Sequence, residues 1–371
     1  MKTYALISIF VLALSLQVSG AEQQLEIHYI NVGQGASTLI IGPNGTRILY
    51  DFGNKDGKES IVPYLESLGW QDSKHLDYTI LSHRDRDHYY GYKGLIDSGF
   101  NVLVANFGPA ISDRGSKTLG NSWINPAKAT SAGAVQEIKP GMRVSLGNGA
   151  EMLVAASNGQ LLNGKTINVK NENDRSISLL IKYGEFDFIL DGDLGGGSEE
   201  CSLHSTSQVD VQTEVARALL SLGEIDSTKG VEILHVAHHG SESSSPARYL
   251  RIMKPEIGII AVGNPNCSYQ HPRKNVINTL NARHQPSALN SASDCSALTP
   301  LKHVFQTDRG SDDCDAEPTK ILTDNTSIVS GDIVITTEGK GEYSIRTTGM
   351  TWMGRKRVKT EEQQVYKFST D

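Results

Sequence analysis

The sequence predicts a layered domain of mixed strands and helices with a functional site at its strand ends. Two patterns carry this expectation. Short apolar runs bounded by glycine, proline and asparagine alternate with apolar residues at helical spacing, and clusters of histidine and aspartate directly follow several of those runs. The composition agrees: 38% hydrophobic and 21% charged residues with 36 glycines describe a loop-rich globular chain with a substantial core and exclude a disordered one.

Residues 24–30 read as a strand ending in the glycine-bounded turn Val32-Gly33-Gln34-Gly35. Residues 37–41 and 47–50 read as a hairpin around Pro43-Asn44-Gly45, closing on Asp51-Phe52-Gly53. Ile61, Leu65 and Leu68 recur at helical spacing and Gly69 stops that helix, before residues 76–81 form a strand. A helix then starts at Tyr89 with Leu95 and Ile96 on its apolar side, followed by a strand over 102–104. Between 109 and 136 the chain is rich in Ser, Gly, Asn and Ala, and no element is assigned; a lid around a site and a plain surface excursion both fit. Residues 142–146 and 151–155 flank the turn Gly147-Asn148-Gly149, and residues 177–182 and 186–190 pair across Tyr183-Gly184-Glu185. An apolar strand over 231–237 precedes a helix opened by Pro246 and carrying Tyr249, Leu250 and Met253, and a strand over 257–262 precedes a helix over 274–282. Strands are expected over 333–337 and 343–346, with residues 284–330 holding an inserted loop and residues 351–371 a solvated tail containing Arg355, Lys356, Arg357 and Lys359.

At the other terminus, Lys2 precedes an apolar run over residues 5–16, and Ser19-Gly20-Ala21 supplies small residues suited to signal peptidase. Residues 1–21 therefore read as a secretory signal peptide too short to span a bilayer, with a retained anchor as the alternative. The mature chain, one domain over 22–350 plus the tail, is expected to be secreted or periplasmic without stable membrane insertion. Cys201, Cys267, Cys295 and Cys314 lack C-x-x-C spacing, which argues against a structural zinc site; export would allow two disulfides, a local Cys295–Cys314 bridge being preferred over free thiols. The formal net charge of -7 excludes a chain coated in basic patches, so a polyanionic ligand would have to be attracted locally.

The chemistry concentrates in Ser82-His83-Arg84-Asp85-Arg86-Asp87-His88, at the end of the 76–81 strand. Imidazoles and carboxylates together suit a borderline divalent cation, and H-x-D-x-D-H offers donors enough for two ions. Arg84 and Arg86 interleave with the acids, so a solvated turn of alternating charge is the competing reading; donors recurring downstream weigh against it. Asp191-Gly192-Asp193 ends the 186–190 strand, and a carboxylate beside a glycine can reach a metal without crowding the backbone. His238 and His239 end the 231–237 strand, whereas His235 lies within it and reads as packed. In Tyr269-Gln270-His271-Pro272 the proline holds His271 extended, so its ring is presented from a loop.

The ordered series Val32-Gly33-Gln34-Gly35, Asp51-Phe52-Gly53, His83-x-Asp85-x-Asp87-His88, Asp191-Gly192-Asp193, His238-His239-Gly240-Ser241 and His271-Pro272 resembles the metallo-β-lactamase superfamily. More narrowly, it is similar to the hydrolase domain of the competence protein ComEC and its free-standing secreted relatives, over about residues 25–350. The resemblance implies an α+β fold, a four-layer αββα sandwich with a dinuclear site at one edge. Carried over by position, His83 and Asp85 would hold one ion, Asp87 and His88 the other, and Asp193 would bridge them. His238 is preferred as the remaining histidine ligand with His239 next, the spacing alone not separating the two. Asp87, His239 and His271 would take part in catalysis, Asp87 orienting the attacking water and His271 protonating the leaving oxygen, while Asp51 would support the site through outer hydrogen bonds.

Two departures from the family pattern matter. Asp85 stands where many members have histidine, which hardens that site and admits manganese beside zinc. The usual isolated histidine between the metal loop and the bridging aspartate has no counterpart, Asn171, Asn173 and Ser176 occupying the stretch, so one site is expected to be weaker or empty. The implied cofactors are two divalent ions, zinc first. The implied activity is hydrolysis of a phosphodiester, small-molecule or nucleic-acid. An acyl hydrolase of lactonase or β-lactamase type and a non-catalytic metal-binding module are the alternatives.

Overall fold

A computed structural model describes residues 24–109, 116–199, 206–263, 269–283, 298–310, 327–353, 356–359 and 362–370. The expected signal peptide and all four cysteines lie outside the described residues. In chain order the strands are β1 (Leu25–Tyr29), β2 (Thr38–Ile41), β3 (Arg47–Tyr50), β4 (His75–Ile80), β5 (Asn101–Gly108), β6 (Gln136–Glu137), β7 (Arg143–Gly147), β8 (Ala150–Ser157), β9 (Gln160–Leu161) and β10 (Ser178–Tyr183). They continue as β11 (Phe186–Leu190), β12 (Ile233–His235), β13 (Ile257–Ile260), β14 (His303–Gln306), β15 (Ser327–Val329), β16 (Ile333–Thr337), β17 (Glu342–Thr347), β18 (Met350–Met353), β19 (Lys356–Lys359) and β20 (Gln364–Ser369). The helices are α1 (Lys58–Leu65), α2 (Arg86–Tyr89), α3 (Tyr92–Asp97), α4 (Lys117–Leu119), α5 (Asn125–Lys128), α6 (Gln212–Ser221), α7 (Ala247–Met253) and α8 (Lys274–Leu280).

The strands form two large sheets and one hairpin. The first sheet runs β20-β17-β16-β1-β2-β3-β4-β5-β6 and the second β15-β14-β13-β12-β11-β10-β8-β7, while β18 and β19 pair apart. Each sheet is antiparallel on one side and parallel on the other, the change coming at β3–β4 and at β11–β12. Central strands of both sheets carry apolar side chains on both faces, as sheets covered on both sides must. On β3, Ile48 and Tyr50 point into the core between the sheets and Leu49 into the opposite layer; on β10, Leu179 and Ile181 point inward and Leu180 outward. The outer face of the first sheet is covered by Ile61 and Leu65 of α1, Leu95 of α3 and Trp123. The outer face of the second is covered by Val215 and Leu219 of α6, Leu250 of α7 and Val276 of α8. Helix, sheet, sheet, helix is the α+β four-layer sandwich.

Two regions depart from expectation. The unassigned stretch before Gln136 is not surface excursion throughout: α4, a wide turn over Gly120–Ile124 and α5 bury Leu119, Trp123 and Ala127 against the first sheet. The buried amide of Asn106 ties this segment down, its Nδ2 donating to Thr130 Oγ1 at 2.9 Å and to the Gly133 carbonyl at 2.9 Å. The expected solvated tail also needs correction. β20 pairs with β17 from Glu342↔Ser369 to Thr347↔Gln364 and forms an edge of the first sheet, because a strand with open backbone groups gains from a partner.

Candidate metal centre

The parallel halves of both sheets point their carboxyl ends at one edge of the sandwich, and the predicted donors come together there. β4 delivers Ser82 and His83, α2 carries Asp87 and His88, the turn after β11 delivers Asp193, and the turn after β12 delivers His238 and His239. Gly192 in the second of these turns has φ +55, and a Cβ there would lie 2.9 Å from Tyr50 Oη and 3.0 Å from Ser82 Cβ, so only glycine lets the Asp193 turn close on the metal loop. Gly35 has φ +135, and its Cβ would lie 2.4 Å from the Asp87 carbonyl oxygen, so the Gly33-Gln34-Gly35 turn lies directly against α2.

Asp193 is the centre of the arrangement. Its Oδ2 lies 3.7 Å from His83 Nε2, 3.3 Å from His88 Nε2, 3.8 Å from His238 Nε2 and 3.7 Å from His239 Nε2. Asp87 Oδ2 stands 3.3 Å from His239 Nε2, and Asp85 Oδ2 stands 3.6 Å from His83 Nε2. Two sets of donor atoms, His83, His88 and Asp193 and then Asp87, His88 and His239, each lie within 4.8 Å of one another.

The donor set fits divalent ions. Nε2 of His83, His88 and His239 and Oδ1 of Asp193 are buried without hydrogen-bond partners, and an orphaned polar atom in a dry site is costly unless something charged meets it. The other ring nitrogen of each of these histidines is engaged. His88 Nδ1 donates to Asp51 Oδ2 at 2.7 Å, His239 Nδ1 donates to the Ala261 carbonyl at 2.7 Å, and His83 Nδ1 lies 2.9 Å from Ser82 Oγ. Donation from Nδ1 fixes the tautomer and leaves the Nε2 lone pair facing inward, the usual outer support of a metal-bound imidazole. Asp51, fully buried, also accepts from the Ser82 amide and hydroxyl, each at 2.7 Å.

The electrostatics say the same. Burial alone would raise Asp193, yet the charges of His88, His239, His238 and His83 hold it well below the usual carboxylate range. Burial would raise Asp87 too, but the His239 imidazole 3.3 Å away and the charge of His88 bring it down. Burial works against charge on His88, and the carboxylates of Asp193 and Asp51 outweigh it, so that His88 is raised well above its ordinary value. Protons here stand where cations would otherwise balance the acids, so ion binding releases them.

The structure separates residues that sequence spacing left together. His239, rather than the preferred His238, faces Asp87 and His88. His238 is more exposed, with Nδ1 2.8 Å from Ser243 Oγ and Nε2 3.1 Å from Asn173 Nδ2. Asp191 turns away from the site and accepts from Ser178 Oγ at 2.6 Å, Gln212 Nε2 at 3.2 Å and Tyr249 Oη at 2.5 Å. Of the stretch lacking the family's isolated histidine, Asn173 reaches the centre beside His238, and Ser176 Oγ accepts the Asp193 amide at 3.1 Å. His235 is packed as expected, 3.1 Å from Tyr29 Oη and pushed down to about 3 by burial. His303 packs against Phe305, Tyr366 and Phe368, a structural position.

His271 sits outward of the donors, its ring 6.3 Å from that of His239 with the planes 26° apart. Burial and the neighbouring His239 and His238 push it down to about 3, so it is a neutral imidazole at neutral pH. A cavity of about 370 Å³ opens over the centre, lined by Gln34, Asp85, Arg86, Asp193, Tyr269 and His271 among others. Sequence reasoning gave no role to Ser82 or the Ala261 carbonyl. Ser82 could have been found from its place beside His83; a backbone carbonyl leaves no trace in sequence.

No protein-family model matches the chain. Recombination protein 2 of Haemophilus influenzae is 26% identical over 293 residues, covering 76% of this chain and 29% of that protein. Competence protein ComA of Neisseria gonorrhoeae is 22% identical over 264 residues, covering 70% of this chain and 30% of that protein. The chain thus spans under a third of the length of these relatives. Among solved structures, the metallo-β-lactamase fold protein YhfI from Bacillus subtilis superposes with TM-score 0.43 at 11% identity, covering 69% of this chain and 93% of that one. A diphosphatase of the PhnP family gives TM-score 0.36 at 12% identity, covering 64% and 87%. The four-layer fold, the ordered donor motifs and the similarity to the recombination and competence proteins agree with the ComEC-like, metallo-β-lactamase resemblance of the sequence.

Proposed function

We propose that this protein hydrolyses phosphodiesters, with nucleic acid outside the cytoplasm as its substrate class, using divalent ions held by His83, Asp85, Asp87, His88, Asp193 and His239. The observation that carries this reading is Asp193 Oδ2 standing 3.3–3.8 Å from the Nε2 atoms of four histidines, three of which are otherwise unsatisfied. Bound there, the ions supply a nucleophile from water at neutral pH and positive charge against the phosphoryl oxygens. Asp51 and the Ala261 carbonyl hold His88 and His239 in the ligating tautomer. Asp193, anchored through its amide to Ser176, would contribute its carboxylate to holding the ions. Asp87 binds and orients the attacking water. His271, neutral at working pH, donates an N–H hydrogen bond to the leaving oxygen instead of delivering the full proton that an imidazolium would. The similarity to a recombination protein and a competence protein supports nucleic acid as substrate, and the oxygen-rich pair Asp85 and Asp87 supports manganese as well as zinc.

The test is hydrolysis of bis(p-nitrophenyl) phosphate and of DNA by protein stripped with EDTA and reloaded with zinc or manganese, with bound ions counted by elemental analysis. Activity that follows the ion supports the reading. Hydrolysis of nitrocefin or lactones with silence on every phosphodiester would overturn it in favour of acyl transfer, and less than one bound equivalent would favour a non-catalytic module. The leader-like residues 1–21 support the extracellular setting, and among the described residues no helix is long and apolar enough to cross a membrane. A mature N-terminus near residue 22, read by Edman degradation of exported protein, checks it.

A further inference from the structure

One wall of the metal cavity is built in a way that hydrolysis alone does not require. Among the described residues, the large apolar side chains exposed to solvent are Leu103, Val104, Leu222, Tyr269 and Val365, and Tyr269 is the aromatic one, 62% exposed. It lies in the lining of the metal cavity, its ring 6.0 Å from that of His271 with the planes 23° apart. His271 in turn lies 6.3 Å from His239 at 26°. Three rings therefore lead from solvent to the donor atoms, and the outermost is largely exposed. Arg86, exposed and also lining the cavity, makes no ion pair among the described residues and adds a cation beside three carboxylates.

A planar ring, apolar and open on one face, gains free energy by stacking on another planar ring, and every nucleobase offers one. An unpaired guanidinium at the same mouth suits a phosphate of the same chain. We infer that Tyr269, stacked on His271, is the platform on which an unpaired nucleobase next to the scissile phosphate rests, with Arg86 meeting a flanking phosphate. The inference rests on the phosphodiester reading and narrows it: a base can lie flat on Tyr269 only when released from its duplex partner, so single strands are favoured over paired ones.

The test separates this inference from the hydrolase reading by measuring binding. The full chain, loaded with manganese, is titrated with a short single-stranded oligonucleotide with phosphorothioate linkages that slow hydrolysis, carrying 2-aminopurine, whose fluorescence falls on stacking. An otherwise identical oligonucleotide with an abasic site replaces it in the control. The expected result is quenching on binding, with affinity about tenfold above that of the abasic control. Tyr269→Ala should remove both the quenching and the preference, and Tyr269→Trp should keep them. Arg86→Ala should weaken both oligonucleotides alike and flatten the salt dependence. Equal affinity for the two oligonucleotides, or quenching that survives in Tyr269→Ala, overturns the inference, as does absence of binding. Hydrolysis of bis(p-nitrophenyl) phosphate reports separately on the hydrolase reading.

Discussion

The two ends of the β11–β12 pair carry buried carboxylates in opposite states. At the carboxyl end, Asp193 is held well below the usual range by four surrounding imidazoles. At the amino end, burial together with the charges of Asp187 and Glu256 pushes Glu232 up to about 7, and burial together with Glu224 pushes Asp187 up to about 6. Both ends belong to the same two strands, and both open to a cavity, the amino-end one being the larger at about 580 Å³ against about 370 Å³. What differs is the partner. Burial raises any carboxyl, and only a cation or a hydrogen-bond donor at close range reverses it. Cavity size therefore points to the wrong end, while the sign of the shift points to the chemistry.

The contrast can be broken most severely at Asp193. Asp193→Asn removes the negative charge that four imidazoles surround, and phosphodiester hydrolysis should fall by well over the roughly 10–100-fold typical of outer-sphere losses, with elemental analysis showing fewer bound ions. A smaller effect should separate the adjacent histidines. His239→Ala should lower metal affinity by about 100-fold and His238→Ala by less than about tenfold, read by competition with a chromogenic chelator; the reverse order would restore His238 as the ligand. Asp51→Asn should then cost about 10–100-fold in metal affinity while the protein stays folded, because His88 loses the acceptor that fixes its tautomer.

The amino end gives the smallest effect and the opposite kind of readout. Glu232 is raised from 4.5 to about 7, so the folded chain keeps a proton that the unfolded chain has lost. Stability from this group is complete below pH 4.5 and declines as pH rises through about 7, by about 1–2 kcal/mol after allowance for partial solvation. Urea unfolding at pH 5 and pH 8 should show that difference in the natural protein and a smaller one in Glu232→Gln. An unchanged difference would mean that Glu232 is not the titrating group.

Much of this molecule is legible along the chain. The expected strands over 47–50, 186–190 and 333–337 coincide with β3, β11 and β16, because each is a short apolar run with a turn at its end. The helical stretch at 117–128 went unassigned although Leu119, Trp123 and Ala127 recur every fourth residue, since the serine, glycine and asparagine between them mask the spacing. α6 was missed despite Val215 and Leu219 on one face, and β20 because alternating Gln364, Tyr366 and Phe368 beside a basic cluster read as solvated chain. Exposed edges form by pairing across long sequence distance, which local pattern does not encode.

The amino acid sequence by itself determined the kinds of donor atom and their delivery to strand ends, because short apolar runs stop where the histidines and aspartates begin. Which donor faces the centre was decided only in three dimensions. His238 and His239 both lie in the left-handed region, with φ 54° and 55°, where the alternation of a strand no longer dictates which side each ring takes. The choice fell to partners outside the strand: Ala261 holds one ring inward, Ser243 and Asn173 engage the other, and Tyr249 and Gln212 draw Asp191 aside, leaving Asp193 as the member of that pair that meets the imidazoles.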